Sequence, residues 1–511
     1  MIPLVILLTF VALGAWVKSR SKKHPPLPPG PPGEPLIGHL RLIPPNNQET
    51  LFYEWGKKYG DVIYLQFLGR SIVVLNSVQA AVDLLEKRGA IYSDRPKFVI
   101  YETMGWTAGL TFFGYGRRFQ QHRRMFEKYL TPSKCTAYHP IQTREARVFL
   151  QNLLSNPDGR DNFIKRYSTA VIMEVAYGHQ ITSDDDPYVK ISQDSGDAVQ
   201  NAGPPGSTPV DLFPFLRHLP SWFPGSFYAG FARDHKYAID ALHNYPFEEV
   251  SKLKAEGKGN NSFLSAQLDE YELKGSDSPV TLEDIKGASG LMYCAGTDST
   301  WSTISMFFLA MVLFPEHQTR AQKEIDAAIG SGRLPEFHDH DSLPYIECIL
   351  QETLRWNSAV PTGVPHRLSE DDVYNGMFIP KGSLIIPNTS DPRGMTLDEN
   401  VYSDPFTFNP ARFLPKPEGN GEPYAGGPFG FGRRICPGRH LAHASLWIAM
   451  ASTLATMNIT KKLDANGKEI TPEIAFTSGI TSHPRPYQCS IKPRTEAAKD
   501  LIVQGYMAET F

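Results

Sequence analysis

A single cysteine lies in a segment that strongly restricts the backbone, Phe429-Gly430-Phe431-Gly432-Arg433-Arg434-Ile435-Cys436-Pro437-Gly438. Its glycines permit positive φ angles and close backbone approach, so the segment predicts a tight loop around one sulfur. Pro437 and Gly438 then open a helix, whose free N–H groups and two nearby arginines favour a thiolate on Cys436. No histidine base is identifiable nearby, which favours an axial metal thiolate over a nucleophile. A structural glycine-rich loop around a buried cysteine is the alternative.

Two further motifs lie on predicted helices. A long apolar helix opens at Thr281, with Asp284 as its capping-box partner, and runs to about Pro315. It carries Ala295-Gly296-Thr297-Asp298-Ser299-Thr300, and polar groups in such a helix cost free energy unless they are used. A serine or threonine kink is the alternative. On the helix from Leu343 to Trp356, Glu352 and Arg355 share one face and can pair, although such pairs are common and usually solvated.

The cysteine loop resembles the cytochrome P450 signature F-x-x-G-x-R-x-C-x-G, matching at Phe429, Gly432, Arg434, Cys436 and Gly438. The resemblance implies haem b as the cofactor, with Cys436 as the axial ligand of the iron. It also implies that Phe429, Gly430, Gly438 and Arg434 contribute to the cofactor site. Thiolate ligation is expected to favour cleavage of the O–O bond.

The same resemblance extends to the other motifs. Ala295–Thr300 is similar to the oxygen-activation motif A-G-x-D/E-T, so Gly296 is expected to open a groove for dioxygen. Asp298, with Ser299 or Thr300, is expected to relay protons; Ser299 stands where threonine is usual. Glu352 and Arg355 match E-x-x-R, and Arg412 in Pro410-Ala411-Arg412-Phe413 is expected to complete a buried structural cluster with them.

Three basic residues are expected to hold the haem propionates by the same resemblance. Arg123 fits the arginine of W-x-x-x-R, with Phe119 in place of the tryptophan. His366, in Val364-Pro365-His366-Arg367, and Arg434 are the other two. His122 and His440 are interpreted as ordinary histidines.

The amino-terminal sequence predicts a membrane anchor. Residues 1–17 are almost wholly apolar, and Lys18, Arg20, Lys22 and Lys23 follow directly. This charge placement favours a transmembrane anchor, with a cytosolic catalytic domain, over a signal peptide or a buried core helix. Residues 18–33 form a basic and proline-rich hinge, stiffened by prolines. Residues 34–511 are then one catalytic domain, and the resemblance places the protein in the endoplasmic reticulum membrane.

The remaining pattern predicts a mainly α fold with small β-sheets, the cytochrome P450 fold. Residues 61–76 predict two strands around a Gly69-Arg70 turn, and residues 203–225 an irregular, apolar-tipped excursion. Five scattered cysteines do not suit a disulfide framework, and a net charge of −3 does not favour nucleic-acid binding.

The function implied by the resemblance is insertion of one oxygen atom from O2 into a lipophilic small molecule. The overall sequence is similar to microsomal enzymes of fungal secondary metabolism, so a terpenoid, and second a polyketide or aromatic compound, is expected as substrate. NADPH–cytochrome P450 reductase is the expected electron donor, with Arg433, Arg439 and Lys128 as candidates for its docking face. A P450-fold isomerase or dehydratase and a haem carrier are the competing functions; the Asp298–Ser299–Thr300 group argues against both. The expected apolar pocket walls include Phe98, Tyr101, Trp106, Phe112, Phe113, Leu212, Phe213, Leu291, Val360, Val364 and Phe476.

Overall fold

The computed structural model describes residues 24–44, 48–183, 185–203, 205–206, 208–389 and 394–510. The predicted anchor, residues 1–17, and the basic residues 18–23 lie outside these ranges. Within them, no helix is both long enough and apolar enough to cross a membrane.

Helices form most of the described chain, as the sequence predicts. The longer ones are α1 Gln48–Tyr59, α2 Arg117–Glu127, α3 His139–Ser155, α4 Arg160–Tyr177, α5 Pro187–Gln200, α6 Phe227–Asp234, α7 Lys236–Ala255, α8 Phe263–Lys274, α9 Leu282–Leu313, α10 Pro315–Ala328, α11 Pro344–Trp356, α12 Arg439–Thr456 and α13 Glu496–Thr510. Shorter helical turns lie at Val78–Ala81, Val82–Lys87, Gly89–Tyr92, Val99–Met104, Pro132–Cys135, Thr136–Tyr138, Pro157–Gly159, Pro209–Leu212, Pro214–His218, Gly275–Asp277, Phe337–Ser342, Met395–Leu397, Pro410–Phe413 and Gly432–Arg434.

The strands form three small sheets. Their bounds are β1 Val62–Phe67, β2 Arg70–Leu75, β3 His366–Arg367, β4 Asp372–Tyr374, β5 Met377–Ile379, β6 Leu384–Pro387, β7 Met457–Leu463, β8 Glu469–Ile470 and β9 Cys489–Pro493. The first sheet has the order β1-β2-β6-β3, in which β2 and β6 are parallel, with Ile72 opposite Leu384. The strand pair predicted within residues 61–76 is confirmed, but its turn lies at Leu68 and Gly69, one position before the predicted one.

Helix α9 runs through the hydrophobic core and begins where the sequence predicts. The Thr281 hydroxyl accepts from the Asp284 N–H at 3.1 Å, and the Asp284 carboxylate accepts from the Thr281 N–H at 2.9 Å. Asp284 also accepts from the Arg118 Nε at 2.6 Å and contacts the His122 Nε2 at 3.0 Å. The capping box is therefore confirmed, and it joins the start of α9 to α2.

The proline-rich segment packs against the sheets as far back as it is described. The Pro26 carbonyl accepts from the Phe378 N–H at 2.8 Å, and the Pro29 carbonyl accepts from the Tyr64 N–H at 3.0 Å. The His39 ring also bonds to the Pro31 carbonyl at 2.8 Å. Residues 24–33 therefore pack against the folded domain. The domain boundary after residue 33 stays a prediction.

Candidate active site

A cavity of about 350 Å³ lies between α9 and the loop that precedes α12. Cys436, Gly438 and Phe429 line it from the loop, and Ala295, Gly296 and Asp298 line it from α9. The predicted cysteine and the predicted acid therefore reach one enclosed space, although they are far apart in the sequence.

The Cys436 side chain is partly buried where the predicted loop closes. Its backbone N–H donates to the Phe429 carbonyl at 2.8 Å, which closes the loop around the sulfur. Burial raises the pKa of the Cys436 thiol, against the opposing effect of the Gly438 N–H and the Arg123 guanidinium. The N–H groups of Gly438 and Arg439 favour the thiolate, as the sequence predicts, but burial outweighs them. A metal ion held by the sulfur would supply the missing charge, because a coordinating thiol is deprotonated by the cation.

The glycines of the cysteine loop are favoured at their positions for different physical reasons. Gly430 and Gly432 adopt φ angles of 75° and 53°, in the left-handed region. A Cβ on Gly432 would also clash with the Leu85 carbonyl oxygen. Gly438 has φ −84°, so it does not use the positive φ that a glycine permits. A Cβ on Gly438 would face open space beside Cys436, whose Sγ would be 3.9 Å away.

Four basic side chains line the cavity. Arg434 donates to the carbonyls of Ser93 at 2.8 Å and Phe113 at 2.7 Å, and Arg123 donates to the Ile435 carbonyl. These two were predicted, as was His366. The fourth, Arg95, was missed by sequence reasoning, because a lone arginine before a proline carries no pattern.

Arg95 and His366 occupy fully buried positions at the same cavity. Arg95 donates to the carbonyls of Val364 and Pro365, the second at 2.7 Å. The His366 Nδ1 donates to the Tyr92 carbonyl at 2.8 Å, which fixes the ring. Burial lowers the pKa of both groups well below their usual range, and the nearby guanidiniums add to this effect at His366.

Asp298 lies between two cavities. It lines the main one and also a second cavity of about 120 Å³ with mostly polar walls, among them Lys165, Gln193, Asp197 and Gln200. The Thr481 hydroxyl donates to the Asp298 Oδ2 at 3.2 Å. Burial raises the pKa of the Asp298 carboxyl, and the Thr481 bond opposes this only in part.

The other members of the α9 motif have separate contacts. The Ser299 hydroxyl donates to the Ala295 carbonyl at 2.9 Å, within the helix, and Thr300 is buried beside the cavity. A Cβ on Gly296 would lie 2.8 Å from the Ile172 side chain of α4. The missing side chain of Gly296 therefore has a helix-packing reason, in addition to the dioxygen groove that the sequence predicts.

Glu352, Arg355 and Arg412 form one fully buried cluster. Arg355 donates to both Glu352 oxygens at 2.6 and 2.7 Å, and the Arg412 Nε donates to Oε1 at 3.1 Å. Arg412 also donates to Glu422 at 2.7 Å. Glu422, which sequence reasoning missed, balances the second guanidinium, so two carboxylates face two arginines.

The comparison with protein families decides the identity of this site. The family model described as Cytochrome P450 matches residues 28–491. The chain belongs to the cytochrome P450 family. This P450 resembles fungal enzymes along nearly its whole length. Cytochrome P450 monooxygenase 176 of Postia placenta is 41% identical over 97% of this chain and 95% of its own length.

Two further fungal relatives are similar to this chain over nearly its whole length. Cytochrome P450 monooxygenase claR of Ampulloclitocybe clavipes is 37% identical over 97% of this chain and 91% of its own length. Tryptamine 4-monooxygenase of Psilocybe cyanescens is 36% identical over 96% of this chain and 98% of its own length. The P450 is thus a member of a monooxygenase family that uses haem ligated by a cysteine thiolate, O2, a substrate and a redox partner.

The residues of the P450 cavity fit a haem. Four basic side chains line the cavity, and Asp298 is the one carboxylate among its described lining residues. Burial lowers the pKa of Arg434 to about 9, so its charge is costly without a counter-charge. Arg123 already pairs with Glu127 at 2.8 Å. The two propionates of haem b would supply the counter-charge at Arg434. The open space beside Gly438 leaves room for a flat macrocycle next to the sulfur.

Phe119 has a distinct role in this P450. The Arg434 guanidinium lies 3.8 Å from the centre of the Phe119 ring, in cation–π contact. Phe119 cannot donate a hydrogen bond as an indole would, but it supports the arginine that we expect at the propionates.

The P450 pocket walls match the prediction in part. The predicted aromatic and aliphatic residues that line the cavity are Trp106, Phe112, Leu291, Val360 and Val364. The remaining predicted wall residues lie outside its lining: Phe98, Tyr101, Phe113, Leu212, Phe213 and Phe476. Of these, Phe213 is partly exposed on the surface, because the segment that carries it turns outward.

Proposed function

We propose that this P450 inserts one oxygen atom from O2 into a lipophilic small molecule, with Cys436 as the axial ligand of haem b. The observation that carries the proposal is that the Cys436 sulfur, four basic side chains and Asp298 all line the same cavity. When bound, the haem supplies oxygen activation and oxidising power. The chain's own residues hold the cofactor, orient the substrate and deliver protons.

The proposed cofactor contacts divide between two faces of the site. Arg123, Arg434 and His366 bind the propionates, with Arg95 as an additional donor. The N–H groups at the start of α12 face the Cys436 sulfur and stabilise its charge. Phe429 and Gly430 shape the loop, and Gly438 keeps the space beside the sulfur clear.

Proton delivery is assigned to Asp298. Its carboxyl touches both the main cavity and the polar second cavity, so it can take a proton from one side and pass it to the other. Its raised pKa keeps the protonated form accessible nearer neutral pH than for an ordinary carboxyl. Ser299 and Thr300 line the main cavity next to it, and either hydroxyl can carry the proton onward.

The substrate is proposed to be a lipophilic secondary metabolite. Trp106, Phe112 and Leu291 give the cavity apolar walls, and polar groups are few. We propose a terpenoid as the first candidate substrate and a polyketide or aromatic compound as the second. The tryptamine 4-monooxygenase relative gives the aromatic class some support.

The proposed electron donor is a membrane-bound NADPH–cytochrome P450 reductase, which docks through Arg433, Arg439 and Lys128. Lys128 already pairs with Glu270 at 2.6 Å, and Arg439 donates to the Cys436 carbonyl at 3.1 Å. Arg433 donates to the Tyr115 hydroxyl near the surface. Unchanged rates of haem reduction in the Arg433→Glu and Lys128→Glu variants would contradict the proposed docking face.

Membrane attachment in the endoplasmic reticulum is proposed through residues 1–17, with the basic and proline-rich residues 18–33 as the connection to the catalytic domain in the cytosol. The positive residues after the apolar run support this orientation. The attachment can be tested by fractionating cells that express either the full chain or the chain without residues 1–17. Equal release of both forms into the soluble fraction would contradict the anchor.

Two measurements test the central proposal. Reduced holoenzyme treated with CO is expected to show the absorption band characteristic of thiolate-ligated haem. Cys436→Ser is expected to abolish that band while the arginines still retain some haem. Reductase, NADPH and candidate substrates are then expected to give oxygenated product in step with NADPH consumption. Folded, haem-loaded protein without the band would overturn the ligand assignment.

A further inference from the structure

A second cluster of ligating side chains lies outside the active site. It joins His340 of the helical turn Phe337–Ser342, Glu347 in the first turn of α11 and His443 in the second turn of α12. One ligand atom from each of these residues lies within 4.8 Å of the other two. All three side chains are partly buried.

We infer that His340, Glu347 and His443 form a binding site for a transition-metal dication such as Zn²⁺. Two imidazole nitrogens and one carboxylate form a common zinc ligand set. A tetrahedral zinc ion with bonds of about 2.1 Å separates its ligand atoms by roughly 3.4 Å. The His340 Nε2 lies 3.3 Å from Glu347 Oε2, and the His443 Nε2 lies 2.9 Å from Oε1. Small side-chain movements therefore suffice to enclose the ion.

The surroundings of the three residues also suit a metal. The His340 Nδ1 lies 3.2 Å from Asp341 Oδ1, and a carboxylate at the distal nitrogen orients a ligating imidazole and raises its basicity. His340 and His443 border a cavity that is lined further by Cys135, His139 and His440. That cavity offers space for a water molecule as the fourth ligand.

Without metal, the same groups form a hydrogen-bonded network. Both histidines can donate to Glu347, and these bonds outweigh burial and hold the pKa of that carboxyl well below its usual range. The Glu347 hydrogen bond raises the pKa of His340. The metal replaces the protons on the two Nε2 atoms, so the ion competes with protons for one preformed arrangement.

A zinc ion bound at this site would join three segments of the chain on the side of the molecule that carries Cys436. His443 lies in the helix that starts beside Cys436, and Glu347 lies in the helix that carries Glu352. The ion would bind the folded state and not the unfolded chain, so the unfolding temperature is expected to rise with the logarithm of the ion concentration once the site is mostly occupied.

The test uses chelator-treated holoenzyme and Zn²⁺, with affinity measured against a competing zinc indicator. The wild type is expected to bind one Zn²⁺ that is lost in His340→Ala and His443→Ala, with affinity lower by about tenfold or more. His338→Ala is the matched control: it removes an exposed histidine from the same helical turn and is expected to leave the affinity unchanged. Zinc K-edge spectra of the wild type are expected to show imidazole scattering.

Folding is monitored by the CO-difference band of each zinc-free variant. His443→Gln is the second variant, because its amide can still donate to Glu347 but offers no imidazole nitrogen. Equal zinc affinity in the wild type and the His340 and His443 variants would overturn the inference. The inference would also be overturned if the wild type bound no zinc, or if His338→Ala lost as much zinc affinity as the His340 and His443 variants.

Discussion

We expect an added methyl group to have different effects at Gly432 and Gly438 of the cysteine loop, reducing stability at the first and haem retention at the second. Gly432→Ala combines a left-handed backbone with a clash against the Leu85 carbonyl, so we expect it to cost more than about 2 kcal/mol of stability. Gly438→Ala has an ordinary φ and faces open space, so the fold is expected to survive while haem retention falls. Urea unfolding and haem content measure the two effects; equal unfolding midpoints in both variants would contradict the distinction.

Asp298→Asn is expected to slow product formation by about 100-fold, because an amide keeps the size of the side chain but cannot exchange a proton. Substrate binding and the CO-difference band are expected to remain, and the solvent isotope effect on turnover to increase. Asp194→Asn is the matched control, since Asp194 lies on α5 but lines neither cavity. Turnover of Asp298→Asn within twofold of the wild type would contradict the relay.

The pH dependence of stability gives an independent readout of the same carboxyl. Burial raises the pKa of Asp298 in the folded state above its unfolded value, so the folded state binds the proton more tightly. The stability from this proton is present at low pH and is lost as pH rises through the raised pKa. Asp298→Asn removes the dependence, so the variant is expected to gain stability relative to the wild type as pH increases.

At the scale of elements, the Glu352 cluster fastens α11 to the irregular stretch between β6 and α12. Arg355 donates to the Thr396 and Pro405 carbonyls at 3.1 and 2.9 Å, and Arg412 donates to the Ser403 carbonyl at 2.8 Å. Two buried guanidiniums thus hold residues 396–407 of this segment against α11 by bonds to backbone carbonyls.

Glu352→Gln leaves two buried guanidiniums with one carboxylate, so we expect a loss of about 3–5 kcal/mol. Denaturant unfolding monitored by circular dichroism measures it. Lys236→Ala is the matched control, because it breaks an exposed pair with Asp240 that is worth less than about 1 kcal/mol. A loss in Glu352→Gln as small as in the control would show that the cluster does not hold the segment.

Sequence patterns predict the elements of this molecule better than its long-range contacts. The capping box at Thr281, the strands around residue 68 and the order of the motifs follow from local chemistry. Arg95 and Glu422 carry no local signal, since their roles arise only when distant segments meet at the cavity and at Arg412. The effect of burial on the Cys436 thiol was likewise missed, because burial depends on the whole fold while the helix and arginines are visible in the loop itself.

At the scale of the whole molecule, exposed apolar residues gather around the irregular segment 213–227. Phe215, Trp222 and Phe227 are 60%, 80% and 64% exposed. The Arg70 guanidinium donates to the Leu212 carbonyl at 2.6 Å, and the Leu68 N–H donates to the Ile37 carbonyl at 3.3 Å. These bonds bring Leu36, 93% exposed, onto the same side of the molecule. A large exposed apolar patch indicates an interaction surface.

This patch is expected to bind lipid when the amino-terminal segment is removed. A chain that lacks residues 1–23 should still bind vesicles of neutral phosphatidylcholine. Because aromatic side chains gain about 25 cal/mol for each Å² removed from water, Phe215→Ser, Trp222→Ser and Phe227→Ser together should weaken that binding by at least about tenfold. Leu273→Ser is the matched control, since Leu273 is 88% exposed on α8, outside this segment. Vesicle flotation measures the bound fraction. Equal binding by the triple variant and the control would show that the patch does not face the bilayer, and would leave residues 1–17 as the sole proposed attachment.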